Sequence, residues 1–142
     1  MGEYEEEEIM SMSYLELIAL DEAIAVEIMG WRRDAYRWFD ASDTYMAYSA
    51  DYPHRLSYEI SDRIFRPTLH VKFAFQVVAK LAEMGMRLRL ADHSDMNETK
   101  WHARFYGYPK NALIISEEAE TPELAICRAA IAAIRREKGE GE

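Results

Sequence analysis

The stretch TPELAICRAAIAAI, residues 121–134, carries the signals of a complete amphipathic helix. Thr121 is suited to cap the helix, Pro122 occupies the first turn, where its missing N–H costs nothing, and Glu123 favours the positive end of the helix dipole. The apolar residues fall on one stripe at helical spacing: Leu124, Cys127, Ile131 and Ile134. The pattern therefore predicts a helix at about 122–137 that buries one face.

Two other segments have helical periodicity. One, at about 14–29, begins at a capping box from Ser13 and ends at Gly30, and Asp21 leaves open whether it is one bent helix or two short ones. The other, at about 69–84, is predicted to begin at a Thr68 cap and to end at Gly85. Its predicted buried stripe comprises Val71, Phe75, Val78, Leu81 and Ala82.

Short segments between these helices have strand character. Aromatic residues at 36–39 and 45–48 flank a turn-rich segment and predict a hairpin, and a long tyrosine-bearing loop follows at about 49–66. Three further strands are predicted at 86–91, 100–108 and 112–116. The order of elements predicts an α+β fold, a mostly antiparallel sheet with helices packed on it in sandwich-like layers.

Composition limits the class of protein. The chain has 142 residues, 49% of them hydrophobic, and we expect one domain at 11–138 between an acidic tail at 1–10 and a short tail at 139–142. The formal net charge of -9 makes nucleic acid an unlikely partner. Cys127 is the only cysteine, and neither a signal peptide nor a membrane span is recognisable. We therefore expect a cytoplasmic protein without membrane association.

Alternation along the predicted strands gathers basic and aromatic side chains on one sheet face. The candidate ligand-binding residues are Arg87, Arg89, His102, Arg104 and Tyr106. Arginine forks beside an aromatic ring suit a phosphate or an anionic nucleotide. Alternatively, these arginines pair with acidic residues of a neighbouring helix or of a second subunit.

A second mixture of arginines and aromatic residues is a candidate interface of a homo-oligomer: Trp31, Trp38, Arg63 and Arg66. The polar segment from Asp92 to His102 matches neither a calcium loop nor a zinc motif, so we interpret it as a turn and predict no metal site. No catalytic or phosphate-loop motif is present in the sequence, which favours a protein that is not an enzyme and has no cofactor.

Four blocks of the sequence resemble the phage ABA-sandwich domain family, small proteins of phages and prophages. The blocks are IMGW at 28–31, FRPT at 65–68 leading into VVAKL at 77–81, WHARF at 101–105 and AICRAA at 125–130. The resemblance implies a sheet with helices packed on it and a phage accessory role in the bacterial host cell, and it supplies no catalytic residue.

Together these observations predict a non-enzymatic accessory protein. It would bind a partner, such as a host protein, or sequester a small anionic, nucleotide-like ligand, and counter-defence is one role that such sequestration could serve. The alternative is a structural homo-oligomeric interaction module with no small-molecule ligand.

Overall fold

The computed structural model describes residues 13–53, 63–107 and 112–139. In chain order the elements are α1 (Tyr14–Glu27), β1 (Arg32–Asp34), β2 (Arg37–Phe39), β3 (Tyr45–Tyr48), α2 (Val71–Glu83), β4 (Met86–Asp92), β5 (Trp101–Gly107), β6 (Ala112–Ala119) and α3 (Pro122–Glu137). The strands form two antiparallel sheets, in the orders β1-β2-β3 and β4-β5-β6. The predicted α+β class is confirmed. The predicted acidic tail and residues 54–62, the middle of the predicted tyrosine-bearing loop, lie outside the described residues.

Helix α3 lies at the centre of the molecule. It packs against β5 and β6 and also contacts α1 and α2. The predicted stripe of Leu124, Cys127, Ile131 and Ile134 is buried, and burial extends to the alanines between these residues because neighbours cover the helix on more than one side. The predicted cap is also present, since Thr121 Oγ1 accepts a hydrogen bond from the N–H of Leu124 at 3.1 Å.

Helix α1 is continuous, so the alternative of two short helices is wrong. Ser13 Oγ accepts a hydrogen bond from the N–H of Glu16 at 3.1 Å, and Gly30 follows the helix with a φ of +73°, as the predicted stop requires. Asp21 does not restart the helix. Its side chain is buried and accepts hydrogen bonds from the segment that precedes α2.

Helix α2 differs from its prediction in both cap and face. Thr68, the predicted cap, does not cap the helix, because its hydroxyl donates to Asp21 Oδ2 at 3.0 Å. His70 occupies the N-cap position instead and makes no side-chain hydrogen bond there. Val71 and Phe75 are 50% and 52% exposed, and the buried residues are Phe73, Ala74, Val77 and Leu81. The helix has apolar residues on two faces, and packing against α3 decides which face is buried. The buried face shares only Leu81 with the predicted stripe.

The smaller sheet contains the predicted hairpin of β2 and β3 and one strand that the sequence did not reveal. Trp38 lies opposite Ala47, and both side chains are buried in the core. The residues next to them along each strand therefore face outward. Strand β1 is Arg32–Asp34, three polar or charged residues with no apolar alternation to indicate a strand.

Candidate functional site

Strands β4 and β5 bring the five predicted ligand-binding residues onto one face of the larger sheet. In their antiparallel register Arg87 lies opposite Tyr106, Arg89 opposite Arg104, and Ala91 opposite His102. Directly opposed residues of an antiparallel pair have their side chains on the same face. We call the surface formed by Arg87, Arg89, His102, Arg104 and Tyr106 the basic face.

The reverse of this sheet explains why the basic face is open. Ala103 and Phe105 alternate with the basic-face residues of β5 and are fully buried in the core that contains α3. Leu88 and Leu90 of β4 pack against the same core. Because the helices cover that apolar side, Arg89 and Arg104 are left exposed to solvent.

Arg89 and Arg104 form the central pair of the basic face. Opposed Cβ atoms in an antiparallel pair are about 4.5–5.5 Å apart, and like charges at that position destabilise the sheet. Among the described residues, no carboxylate lies within 4 Å of either guanidinium group. The Arg89 guanidinium lies over the ring of Tyr106, 5.1 Å from its centroid. Within the described chain, these two arginines therefore lack the acidic partners of the alternative interpretation.

His102 is held at one ring nitrogen only. Its Nε2 atom is 2.5 Å from Ser116 Oγ on β6, whereas its Nδ1 atom is buried without a hydrogen-bond partner among the described residues. The His93 ring lies 5.1 Å from the His102 ring at an angle of 74°. Glu118 lies opposite His102 in the register, but its carboxylate is 3.4 Å from Lys100 Nζ.

A small cavity adjoins the central arginine pair. Its volume is about 370 Å³, and its lining residues are Arg89, Leu90, Ala91, His93, His102 and Arg104. The cavity exists because Ala91 places only a methyl group where its neighbours on this face have long or aromatic side chains. We call it the Ala91 notch.

Three residues of this site were missed by the sequence analysis. Ala91 and His93 continue the alternation of Arg87 and Arg89, so the strand period alone could have placed them at this edge of the basic face. Ser116 could not be placed from sequence, because its contact with His102 depends on the register between β5 and β6 and on the bulge in that pairing.

The predicted interface residues occupy different positions from those expected. Trp31 and Trp38 are 7% and 2% exposed, and the Trp31 ring contacts Phe65 with centroids 4.8 Å apart. Arg66 is buried in an ion pair with Asp21, and only Arg63 is exposed. Three of the four residues therefore contact the interior of their own chain, and in this fold they present no surface to a second subunit.

The Asp21–Arg66 pair is an interior link between α1 and the segment before α2. Arg66 Nε donates to Asp21 Oδ2 at 2.7 Å, and the N–H and hydroxyl of Thr68 donate to the same carboxylate at 3.0 Å. Burial raises the pKa of Asp21 to about 6, although the hydrogen bonds from Thr68 and Arg66 oppose that increase. This geometry is that of a structural ion pair, since neither charge is open to a ligand.

The polar segment after β4 has the turn chemistry that its composition predicted. Asp92 Oδ1 accepts the N–H of Ser94, and Asp95 Oδ1 accepts the N–H groups of Asn97 and Glu98. In the part of the chain that the structure describes, no group of three or more His, Cys, Asp or Glu side chains is arranged to hold a metal ion.

Two other features offer less than the basic face. A larger, shallow depression of about 840 Å³ between the end of α1, the β2–β3 turn and α2 is lined by Lys80 but also by Glu83 and Asp40, so it has no single charge preference. Cys127 is enclosed in the core, and burial raises the pKa of its thiol well above the usual value, which makes it an unreactive side chain. No helix within the described residues is long and apolar enough to cross a membrane.

Comparison with known proteins agrees with this architecture. The phage ABA sandwich domain family matches the chain over residues 22–131, which include the whole basic face. A solved structure, the 2.0 Å crystal structure of a phage protein from Bacillus cereus ATCC 14579, is similar to this chain with a TM-score of 0.55 and 15% sequence identity. The alignment covers 87% of this chain and 92% of that one, and at this identity it indicates a shared fold alone. A comparison with curated proteins found no match.

Proposed function

Since the chain belongs to the phage ABA sandwich domain family, we propose that it is a non-enzymatic accessory protein of a phage or prophage that binds a small anionic ligand on its basic face inside the bacterial host cell. Sequestration of a host signal during counter-defence is a role that such binding would serve. The observation that carries the proposal is the exposed pair of Arg89 and Arg104, opposed in the sheet without a carboxylate partner among the described residues.

An anion would relieve the electrostatic cost of this pair. Like charges on residues that are directly opposed in a sheet repel each other, and an anion bound by both guanidinium groups would replace that repulsion with two attractive contacts. Guanidinium forks donate paired hydrogen bonds to phosphate or carboxylate oxygens, which are stronger than bonds between neutral groups. The formal net charge of -9 makes a basic patch unusual on this protein. Because the protein as a whole repels anions, an anion would be attracted by the basic face alone.

The dimensions of the site favour a small molecule. Ligand pockets usually have volumes of about 300–1,000 Å³, and the Ala91 notch of about 370 Å³ lies near the lower end of that range. An extended nucleic acid would need a longer basic surface than two strands of one face provide.

The hydrogen bond between His102 and Ser116 resembles part of a nucleophilic site but does not favour an enzyme. In a serine hydrolase, a carboxylate orients the histidine through the second ring nitrogen. Among the described residues, His102 Nδ1 has no such partner. The contact therefore serves better to hold the imidazole in place than to activate the Ser116 hydroxyl.

The alternative, a homo-oligomeric interaction module without a ligand, has lost much of its support. Trp31, Trp38 and Arg66, on which it was based, are buried in their own chain. An isologous contact through the basic face would also place two copies of the Arg89–Arg104 pair near each other. Sedimentation velocity distinguishes the two functions, because an interface made by Arg89 and Arg104 requires an oligomer that the alanine variants would lose.

Native mass spectrometry of protein purified from bacterial cells tests the proposed function. We expect a mass excess that disappears on denaturation and is absent from Arg89→Ala/Arg104→Ala. The matched control is Arg63→Ala/Arg136→Ala, which removes the same charge from exposed positions outside the basic face. A bound mass that persists in the Arg89→Ala/Arg104→Ala variant, or an equal loss in the control, would refute the assignment of the site.

A further inference from the structure

We infer that the ligand joins its anionic group to a nitrogen heterocycle that enters the Ala91 notch and hydrogen-bonds to His102 Nδ1. A nucleoside monophosphate is the simplest member of this class. The inference rests on the proposed function, and it identifies the uncharged half of the ligand and the residues that contact it.

The unpartnered nitrogen of His102 is the main evidence. Among the described side chains, only His102 Nδ1 and Arg66 Nη2 are buried polar atoms without a hydrogen bond. Such atoms are rare in folded proteins and call for an explanation. Arg66 Nη2 belongs to a buried guanidinium group that is enclosed within the fold, with Nε paired to Asp21 and the Tyr14 ring 5.4 Å from Cζ. His102, in contrast, lies in the wall of a cavity that opens beside two exposed arginines.

The chemistry of the imidazole points to a heterocycle. The Nε2 atom of His102 is already hydrogen-bonded to Ser116, so a ligand would bind the imidazole through Nδ1. Nδ1 is an acceptor in one neutral tautomer of His102 and a donor in the other. A phosphate oxygen can only accept a hydrogen bond when the group is fully ionised. A nucleobase has both ring nitrogens that accept and N–H groups that donate, so it satisfies either tautomer.

The notch provides room for a ring next to the anion site. Its volume of about 370 Å³ is larger than a phosphate group needs. His93 stands on the turn after β4 with an exposed side chain, and rotation of that side chain would admit a flat ring beside His102. Stacking on aromatic side chains is a general mode of nucleobase recognition.

The spacing of the two halves also fits. The Cα atoms of the Arg89–Arg104 pair and of the Ala91–His102 pair are two residues apart along each strand, a backbone separation of about 7 Å. A pentose links a base to its phosphate over a comparable distance. An anion on the arginines and a base in the notch can therefore belong to one molecule.

Isothermal titration calorimetry at fixed salt tests the inference with inorganic phosphate, ribose 5-phosphate, adenosine, the four common ribonucleoside 5′-monophosphates and a 5′-phosphorylated dinucleotide. We expect at least one monophosphate to bind ten or more times as tightly as ribose 5-phosphate, and adenosine to bind weakly. His102→Phe should reduce the affinity for that nucleotide about tenfold, the effect of one hydrogen bond, and leave the affinity for inorganic phosphate within twofold.

A variant that fills the notch separates the two halves of the site. Ala91→Leu should remove the preference for the nucleotide over ribose 5-phosphate without changing the affinity for inorganic phosphate. Ala112→Leu, the same substitution at an exposed position on the opposite edge of the sheet, is the matched control and should retain the preference.

The outcomes distinguish this inference from the proposed function. If phosphate, ribose 5-phosphate and all nucleotides bind equally and Arg89→Ala/Arg104→Ala abolishes that binding, the heterocycle is wrong and the proposed function stands. Tighter binding of a 5′-phosphorylated dinucleotide than of any mononucleotide would also overturn the inference, because the notch accommodates a single base. If no probe binds, both are refuted.

Discussion

Replacement of Asp21 by alanine tests how the core of this protein is held together. The Asp21 carboxylate accepts three hydrogen bonds, from Arg66 Nε at 2.7 Å and from the N–H and hydroxyl of Thr68 at 3.0 Å. The side chains of Asp21 and Arg66 are 1% and 6% exposed. Asp21→Ala would therefore leave a guanidinium group charged in the interior with no anion beside it.

The magnitude follows from that burial. Removal of one member of a buried ion pair costs about 3–5 kcal/mol, because the remaining charge is desolvated without compensation. A domain of this size has a total stability of about 5–15 kcal/mol, so we expect a large fall in the free energy of unfolding at pH 7. Loss of an exposed ion pair costs only about 0–1 kcal/mol.

Urea unfolding followed by far-UV circular dichroism measures the difference, with Glu22→Ala as the matched control. Glu22 adjoins Asp21 in α1, and its ion pair with Arg33 is partly exposed, at 35% for Glu22 and 29% for Arg33. We expect Asp21→Ala to lower the unfolding free energy by at least about 2 kcal/mol more than Glu22→Ala, which is the difference between breaking a buried and an exposed ion pair. Equal losses of unfolding free energy in the two variants would refute the claim that the buried Asp21–Arg66 pair stabilises the fold more than an exposed ion pair does.

Three further predictions concern stability. Because burial raises the pKa of Asp21 from 3.8 to about 6, the folded protein binds this proton more tightly than the unfolded chain; the resulting stability is complete below pH 4 and is lost as the pH rises to about 6, by about 3 kcal/mol. Asp21→Asn should lack that dependence in urea unfolding between pH 4 and 7, and identical profiles would contradict it. Thr121→Ala removes the cap of α3 and should lower the unfolding free energy by about 1 kcal/mol; no change in the urea midpoint would show that the cap is dispensable. Gly30→Ala should cost about 1–2 kcal/mol through its φ of +73° alone, since an added Cβ would meet nothing within 4 Å; a loss above about 3 kcal/mol on thermal unfolding would indicate a steric clash instead.

Local signals predicted α3 and the faces of β4 and β5 correctly. The cap at Thr121, the proline after it and the apolar stripe all lie within one segment, so no knowledge of the tertiary structure was needed. Alternation along a strand fixes which residues share a face, and consecutive strands usually pair. Arg89 and Arg104 could therefore be placed on one surface before their register was known.

The errors arose where tertiary contacts decide between alternatives. Helix α2 has apolar residues on two faces, and only the position of α3 determines that Phe73 is buried while Phe75 is half-exposed. The burial of Trp38 depends on Ala47 across the hairpin, and that of Arg66 depends on Asp21, 45 residues earlier in the chain. Arginines and aromatic residues near each other in sequence look the same whether they form an interface or a core.

The central claim, that Arg89 and Arg104 hold an anion, can be tested most directly by NMR titration of the arginine side-chain Nε–H signals with inorganic phosphate. We expect the signals of Arg89 and Arg104 to shift in a saturable manner, together with the backbone amides of β4 and β5. The signal of Arg136, exposed at the end of α3, should remain in place. Shifts of equal size at Arg136, or none at Arg89 and Arg104, would contradict the claim.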